Sequence, residues 1–446
     1  MPAKVKEVKT VNYPFLTAPV EIYELENGHK VVFAKKEGDL INISSWVKTG
    51  SINEDDHNNG ISHFLEHLMF KGTTKFKAGE FDRLLESKGA VINAATWKDY
   101  TFYYITMPKG VHGQNVDFAI KMHADMMVDA RLPREEIGPE FDPANPDVKE
   151  KRERYVVIEE IRMRDDQPWT KTYNEANHNM YDNHPYGRDV IGTKEIIANI
   201  SQEEIVDYYN SYYTPENITT IVAGDIDFEK ALTLIRGEFK FKHQKGKEKP
   251  GLAEVEPLKA PVYVENKGEI NTGFLIMGFH GAKATDNKGT ILLEIVSLIL
   301  GDGISSRLYQ NLIEKSTKSI FNVIDSGQYQ FKDGNTFFIN ANFDPQHKEQ
   351  AITAIKEEVR KMQDELISDE ELEKACKKLK VKFADSAETV SEIAETIGYY
   401  MTVCESLEQC GEYLTVLQDI TKEDVQKACQ KYLDLNTYSM SILMPQ

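Results

Sequence analysis

Cysteine is scarce in this sequence, and its placement excludes a disulfide scaffold. The 446 residues include four cysteines, and no two of them form a CxxC pair. Small domains that depend on disulfides are much richer in cysteine. We therefore interpret the four as small buried apolar residues. They are Cys376, Cys404, Cys410 and Cys429.

Long apolar runs are also missing. No stretch reaches the roughly 18 apolar residues of a membrane span, so none is expected. The opening residues, MPAKVKEVKTVNYPF, lack the apolar core of a signal peptide. The cytoplasm is therefore the expected compartment, or the periplasm if a signal peptide has been removed.

Positive charge is outweighed by negative charge. The chain has 53 Lys and Arg against 72 Asp and Glu, which gives a formal charge of −19. No basic run is dense enough to follow a phosphate backbone, so nucleic acid is not an expected partner. The acidic surface favours basic ligands or serves solubility alone.

The length of the chain predicts two domains of similar size, because one hydrophobic core rarely supports 446 residues. From Phe239 the sequence reads FKFKHQKGKEKPGLAEVEPLK, which is rich in Lys, Gly and Pro. We interpret residues 239–258 as a linker. The predicted domains are then residues 1–238 and 259–446.

The order of predicted elements repeats on the two sides of this linker. Each half begins with strands and continues with helices, a strand pair and long helices. In the first half, the opening strands are VEIYELENG and HKVVFAKKE, joined by an Asn-Gly turn. Strands grouped apart from helices favour the α+β class over a doubly wound sheet. We therefore predict two homologous halves, each an antiparallel-rich sheet with packed helices.

Residues 60–73, GISHFLEHLMFKGT, place three polar side chains in an apolar stretch. On a helix, His63 and His67 lie one turn apart on the same face, with Glu66 beside them. Two imidazoles so placed can bind one Zn²⁺ ion, and the carboxylate can accept a proton from water. A helix whose polar groups face solvent is the alternative, but the apolar neighbours leave little polar face.

A zinc site needs at least one further protein ligand. The best candidates lie in KRERYVVIEEIRMRDDQP, where Glu153 and Glu160 are seven residues apart and share one side of a helix. Glu159 is turned by about 100° and would face elsewhere. Ordinary solvated acids are the alternative, and periodicity alone leaves open which Glu borders the buried side.

These segments together closely resemble the M16 metallopeptidases. HFLEH and FKGT are followed by GAVINAATWKDYTFYY and ERYVVIEEI. The resemblance runs from about residue 20 to the C-terminus. This inverzincin family includes enzymes of the processing-peptidase and insulin-degrading type. The resemblance implies two α+β halves arranged as a clamshell around a chamber, with a zinc-dependent endopeptidase activity on extended peptides.

The resemblance also assigns roles to residues. The E-x₆-E pattern implies that Glu160 joins His63 and His67 as zinc ligands, with Glu153 as a supporting acid and Glu66 as the base that activates water. His67 and Glu160 are 93 positions apart, more than is usual in the family. The Pro-rich stretch IGPEFDPANPDVKEK looks like an insertion that accounts for the difference.

The segment GAVINAATW reads as a strand with small side chains. The resemblance implies an edge strand that pairs with an extended peptide substrate. Asn93, Ala94 and Ala95 then flank the scissile bond. An interior strand whose small residues allow close packing is the alternative.

The second half departs from the family pattern. Single-chain members carry an Arg and a Tyr there, but this chain has Ile313 near the Arg position and Ile320 or Phe321 near the Tyr position. These side chains cannot donate a hydrogen bond, and Arg307 lies two turns too early. The resemblance therefore implies a zinc-bearing subunit whose heterodimer partner supplies the Arg/Tyr pair. A homodimer, a non-catalytic structural or binding member, and a zinc hydrolase acting on small molecules are the alternatives.

Overall fold

The computed structural model describes residues 2–142, 152–182, 184–243, 245–246 and 251–446. Within these ranges the chain forms two β-sheets, and helices pack against each of them. The predicted α+β class is confirmed.

Two segments singled out from the sequence lie partly outside the described residues. The predicted insertion includes residues 143–151, and the predicted linker includes residues 244 and 247–250.

The strands are β1 (Val5–Val11), β2 (Val20–Leu25), β3 (Lys30–Ala34), β4 (Leu40–Val47), β5 (Val91–Thr96), β6 (Thr101–Pro108), β7 (Ile218–Gly224), β8 (Val262–Gly268), β9 (Gly273–His280), β10 (Phe321–Phe331), β11 (Gly334–Phe343) and β12 (Ser439–Pro445). The α-helices are α1 (Ile61–Leu68), α2 (Glu80–Glu86), α3 (Val116–Val128), α4 (Arg134–Ile137), α5 (Glu153–Asp165), α6 (Pro168–Tyr181), α7 (Lys194–Asn199), α8 (Gln202–Tyr212), α9 (Phe228–Glu238), α10 (Asn287–Leu300), α11 (Arg307–Tyr309), α12 (Lys348–Asp364), α13 (Asp369–Asp385), α14 (Val390–Thr402), α15 (Glu408–Gln418) and α16 (Lys422–Tyr432).

Sheet topology confirms the internal duplication. The larger sheet has the order β1-β2-β3-β7-β4-β6-β5, and the smaller has the order β10-β11-β9-β12-β8. From its β5 edge, the larger sheet matches the smaller strand for strand. In both, three antiparallel pairings are followed by one parallel pairing, β7 with β3 and β12 with β8. β1 and β2 are additions to the first sheet.

Burial in the larger sheet follows from the position of each strand. β7 lies in the interior of the sheet, and all seven of its residues are buried. Its sequence, ITTIVAG, is accordingly made up mainly of β-branched residues and carries no charged side chain. β5 lies at the edge, and its exposed and half-buried residues alternate. Sequence pattern and strand position therefore agree in this sheet.

The chain divides into two compact units, each built from three stretches. Unit 1 comprises Met1–Ile161, Asp189–Gly251 and Ala384–Gly411. Unit 2 comprises the remaining stretches, Arg162–Arg188, Leu252–Phe383 and Glu412–Gln446.

The helices α6 and α14 are exchanged between the two halves of the sequence. α6 comes from the first half but packs on β9 and β12 of unit 2, whereas α14 comes from the second half but packs on β4 and β7 of unit 1. The contact is close, because a Cβ on Gly398 would lie 2.0 Å from the Trp46 ring. The predicted boundaries at 238 and 258 do not include this exchange. Amphipathic patterns show that a helix has a buried face but not which sheet covers it.

Two smaller expectations can be compared with the structure. Cys404, Cys410 and Cys429 are buried free thiols, whereas Cys376 is half-buried. Of the helices in the described part of the chain, none combines the length and the apolar character needed to cross a bilayer.

Candidate metal centre

The helix α1 begins at a glycine that no other residue could replace without strain. Gly60 has φ of 97°, in the left-handed region. A Cβ at this position would lie 2.5 Å from the backbone oxygen of Ile191. The buried side of the helix comprises Ile61, Ser62, Phe64, Leu65 and Leu68. The helix is therefore fixed at its start and along one face.

The other side of α1 carries the two histidines. Their ring centroids are 4.8 Å apart. The Nε2 atoms of His63 and His67 each lie 3.6 Å from Oε2 of Glu160 on α5. One donor atom from each of the three residues lies within 4.8 Å of the other two. The structure thus brings together the three residues predicted as metal ligands.

These three donors fit a zinc ion. Zn²⁺ prefers imidazole nitrogen and carboxylate oxygen, and tetrahedral ligands about 2.1 Å from the metal are about 3.4 Å from each other. The two 3.6 Å separations agree with this spacing. Three protein ligands leave one position for water or substrate. Within the described residues, this is the one group of His, Cys, Asp or Glu side chains that meets the spacing of a metal site.

Glu153 contacts the ring nitrogen of His67 that does not face Glu160. Its Oε2 lies 3.1 Å from Nδ1 of His67, and its Oε1 lies 2.7 Å from Nζ of Lys71. Burial acts to raise the pKa of Glu153, but the hydrogen bonds from His67 and Lys71 outweigh it, and the net shift is downward. A carboxylate on Nδ1 leaves Nε2 of His67, which faces Glu160, as the nitrogen that could bind a metal.

The electrostatic environment of His67 favours a positive charge. Burial acts to lower its pKa, but Glu153, Glu160 and Glu66 outweigh burial and raise the pKa to about 9. Carboxylates that draw a proton onto an imidazole also favour a metal cation at the same place. The charge distribution therefore fits a cation site, in agreement with the donor set.

Glu66 faces the same region from α1 and contacts the edge strand. Thr96 at the end of β5 donates its hydroxyl hydrogen to Oε2 of Glu66 at 2.6 Å. Burial raises the pKa of Glu66, and the hydrogen bonds from Thr96 act against this rise. Glu159, by contrast, is exposed on the far side of α5, as its helical phase predicts.

β5 is the outermost strand of its sheet, so the structure does not support the interior-strand alternative. Of the residues predicted to flank the scissile bond, Asn93 and Ala95 have exposed side chains and Ala94 is half-buried. The side-chain Oδ1 of Asn93 accepts a hydrogen bond from the backbone N–H of Ala94 at 2.9 Å.

Hydrogen-bond alternation shows which backbone groups of β5 face outward. At the end of the hairpin, Trp97 N–H donates to Tyr100 C=O. Because bonded pairs alternate along an antiparallel ladder, the backbone groups of Ile92, Ala94 and Thr96 point away from β6. This edge is where another extended chain can pair.

Arg307, which the sequence places too early to replace the family's Arg, is paired with another residue of the second half. Arg307 makes a bidentate ion pair with Glu371, at 2.7 and 2.9 Å. Ile313 lies in a π-helical turn, and Phe321 is buried at the start of β10. In the described part of unit 2, the positions predicted from the family therefore offer an ion-paired Arg and apolar side chains.

Sequence reasoning missed Lys71 and Thr96. Lys71 lies three residues beyond the end of α1, so helical spacing gave no signal for its contact with Glu153. Thr96 follows directly on the predicted strand positions, but its contact with Glu66 depends on how α1 packs against β5.

Two models of known protein families match this chain. Residues 30–194 match the model "Insulinase (Peptidase family M16)", and residues 199–379 match the model "Peptidase M16 inactive domain". The first match contains all the candidate metal ligands.

Curated relatives match over nearly the whole chain. "Zinc protease PqqE" of Helicobacter pylori is 29% identical over 434 residues, which cover 95% of this chain and 92% of the relative. "Uncharacterized zinc protease YmxG" of Bacillus subtilis is 26% identical over 430 residues, which cover 96% and 98% of the two chains.

Solved structures show the same fold. A protease from Helicobacter pylori superposes with a TM-score of 0.86 at 26% identity and covers 96% of this chain and 99% of that one. A peptidase M16 inactive domain from Pseudomonas fluorescens has a TM-score of 0.84 at 17% identity, with 99% and 98% covered, and supports the fold alone. Fold and site together define a peptidase scaffold with a zinc-type donor cluster. The chain belongs to peptidase family M16.

Proposed function

We propose that this protein is a zinc-dependent endopeptidase that hydrolyses extended peptides. One observation carries the proposal. His63, His67 and Glu160 present donor atoms to a common point, and Glu66 lies on the same helix as the two histidines. Zn²⁺ held there would polarise the substrate carbonyl and lower the pKa of a water molecule.

The remaining steps belong to side chains of this chain. Glu66 accepts a proton from the attacking water and passes it to the leaving amine. Thr96 occupies one oxygen of Glu66 and so fixes the direction of the carboxylate. Glu153 holds His67 in the tautomer whose Nε2 faces the metal. Glu66, Thr96, Glu153 and His67 all belong to unit 1.

Substrate binding is proposed at the outer edge of β5. The outward backbone groups of Ile92 and Ala94 can pair with an extended peptide, which then lies antiparallel or parallel to the strand. Asn93 must release the Ala94 N–H before that group can bind substrate. The exposed faces of Asn93 and Ala95 would border the bound peptide.

We further propose that the chain acts as the zinc-bearing subunit of a dimer. Ile313 and Phe321 cannot replace an Arg/Tyr pair, and Arg307 is committed to Glu371. A complementary M16 subunit would supply donors for the developing oxyanion, and a homodimer is the simpler arrangement. The second candidate function is that of a non-catalytic binding member of the family. The replacement of the Arg/Tyr pair by apolar residues favours this alternative.

Metal analysis is the first test. Purified protein dialysed against trace zinc should retain about one equivalent of Zn²⁺, and His63→Ala should retain much less. A protein that binds no zinc while remaining folded would contradict the proposed site.

Peptide cleavage is the second test. A quenched fluorescent peptide library should be cleaved by the wild-type chain, alone or mixed with an M16 chain that carries the Arg/Tyr pair. Glu66→Gln should retain zinc and lose activity by roughly 10²–10⁴-fold, because it cannot accept the proton. Zinc binding without cleavage in any mixture would favour the binding member instead.

A further inference from the structure

Glu54 lies directly behind the start of α1, and its side chain receives four hydrogen bonds. Its Oε2 accepts from the backbone N–H of Gly60 at 2.7 Å and from Nδ2 of Asn59 at 2.8 Å. Its Oε1 accepts from both the backbone N–H and the hydroxyl of Ser62, at 2.9 and 2.5 Å. Two of these donors are backbone N–H groups at the beginning of the helix, which lack partners within it.

The carboxylate is enclosed, since Glu54 is only 5% exposed. Burial raises its pKa, and the hydrogen bonds from Ser62, Gly60 and Asn59 act against that rise. Four donors directed at two oxygens match the ionised form, which only accepts. A negative charge at a helix N-terminus is also stabilised by the helix dipole.

The hydrogen-bond network continues from Ser62 into the interior of unit 1. The Ser62 hydroxyl lies 2.8 Å from the hydroxyl of Tyr208 on α8, and Tyr208 lies 2.7 Å from the hydroxyl of Thr49 after β4. Ser62 is 1% exposed and Thr49 is 0% exposed. Glu54 thus links the first turn of α1 to α8 and to the larger sheet.

A close chain crossing reinforces this attachment. A Cβ on Gly192 would lie 2.2 Å from the backbone oxygen of Asn59, so the two segments touch through their main chains. Asn59 also donates from Nδ2 to the backbone oxygen of Asp189 at 2.9 Å. Ser62, which is hydrogen-bonded to both Glu54 and Tyr208, directly precedes His63 in the sequence.

We propose that Glu54 is a positioning residue for the metal centre, which sets the direction of His63 by fixing the first turn of α1. It touches neither the metal position nor substrate. Its effect passes through the backbone of Gly60 and Ser62 to the imidazole that follows. This inference rests on the proposed zinc site and adds a residue that none of the motif positions includes.

The test measures zinc affinity of the isolated full-length chain, so it does not depend on a catalytic partner. Zn²⁺ is titrated against a chromophoric chelator for wild type, Glu54→Gln and Ser62→Ala, well below the melting temperature of each apo-protein. Gln presents an NH₂ group to two N–H donors, so the first turn should loosen. Glu54→Gln should weaken zinc binding by about 10-fold or more, and Ser62→Ala by a smaller factor.

A matched control separates positioning from general stability. Asp227 caps α9 in the same unit by accepting a hydrogen bond from Lys230 N–H at 3.0 Å. Asp227→Ala should lower the melting temperature and leave zinc affinity unchanged, because α9 carries no proposed ligand. Absorption of the Co²⁺-substituted protein gives a second readout, since the visible bands should shift in Glu54→Gln and stay constant in Asp227→Ala.

The outcomes are distinguishable. Unchanged zinc affinity and an unchanged Co²⁺ spectrum in folded Glu54→Gln would overturn the inference. If Glu54→Gln does not fold, Ser62→Ala decides, and wild-type affinity in that variant would overturn it equally. A wild-type chain that fails to bind zinc would instead refute the proposed function.

Discussion

Thr96 and Glu66 are joined by a 2.6 Å hydrogen bond between the last residue of the edge strand β5 and the helix α1. The strand proposed to bind substrate is therefore attached directly to the carboxylate proposed to move the proton. Ordering of β5 by a bound peptide would also order Glu66.

Removing the Thr96 hydroxyl should slow turnover with little effect on substrate binding. Thr96→Val keeps the shape of the side chain but loses a hydrogen bond to a charged group, so kcat should fall about 10-fold. Steady-state kinetics on a cleaved peptide should show this fall with KM nearly unchanged. Thr96→Ser should restore kcat, and zinc content should be equal in all three proteins. A fall in Thr96→Val that Thr96→Ser does not restore would argue against the hydroxyl.

Lys71 should support zinc binding through Glu153. It lies 2.7 Å from Oε1 of Glu153, whose other oxygen contacts His67. Lys71→Met leaves the carboxylate without its cation, and zinc affinity should fall by about 10-fold. Lys77→Met, which alters an exposed lysine, should bind zinc like wild type. Equal affinities in a chelator competition would remove Lys71 from the site.

The ion pair between Arg307 and Glu371 should make stability depend on pH. The hydrogen bond from Arg307 lowers the pKa of Glu371 to about 2, below its ordinary 4.5. A folded-state pKa below the unfolded one contributes stability that is complete above pH 4.5 and is lost as the pH falls toward 2.

Glu371→Gln should therefore destabilise the protein at pH 7 by on the order of 2 kcal/mol, after allowance for partial exposure. Urea unfolding midpoints of wild type and variant should converge as the pH is lowered from 7 to 3.5. Glu370→Gln, at an exposed position of the same turn, should track wild type throughout. A gap that widens at low pH would contradict the assigned sign.

Gly398 should resist replacement even though it lies in a helix. Alanine usually improves a helix by about 1 kcal/mol, but a Cβ on Gly398 would lie 2.0 Å from the Trp46 ring. Overpacking of this kind costs roughly 1–3 kcal/mol, so Gly398→Ala should lower the melting temperature and change Trp fluorescence. Gly237→Ala on α9, where nothing lies within 4 Å, should instead be neutral or stabilising. Stabilisation by both substitutions would show that α14 does not rest on Trp46.

The site was predictable from sequence where local spacing determines geometry. His63, Glu66 and His67 lie within two turns of one helix, so their mutual placement follows from helix geometry. Glu160 lies far along the chain, and its assignment came from the family resemblance rather than from periodicity. The roles of Thr96 and Glu54 could not be predicted from the sequence, because their contacts depend on tertiary packing against α1.

The fold was predictable at the level of strands and duplication. β2 and β3 lie where alternation and the Asn-Gly turn predict them, and the two sheets repeat one order. β1 was not predicted, because VKEVKTV is mostly exposed and polar. The helix exchange was not predictable either, since an apolar face does not identify its partner.

The exchange of α6 and α14 has a consequence for biosynthesis. β7 ends at Gly224, about 165 residues before α14 begins at Val390, which at typical elongation rates corresponds to roughly 8–33 s. During that interval the face of β4 and β7 that α14 covers is open to chaperones and proteases. The nascent first half therefore contains all three candidate metal ligands before α14 can cover β4 and β7.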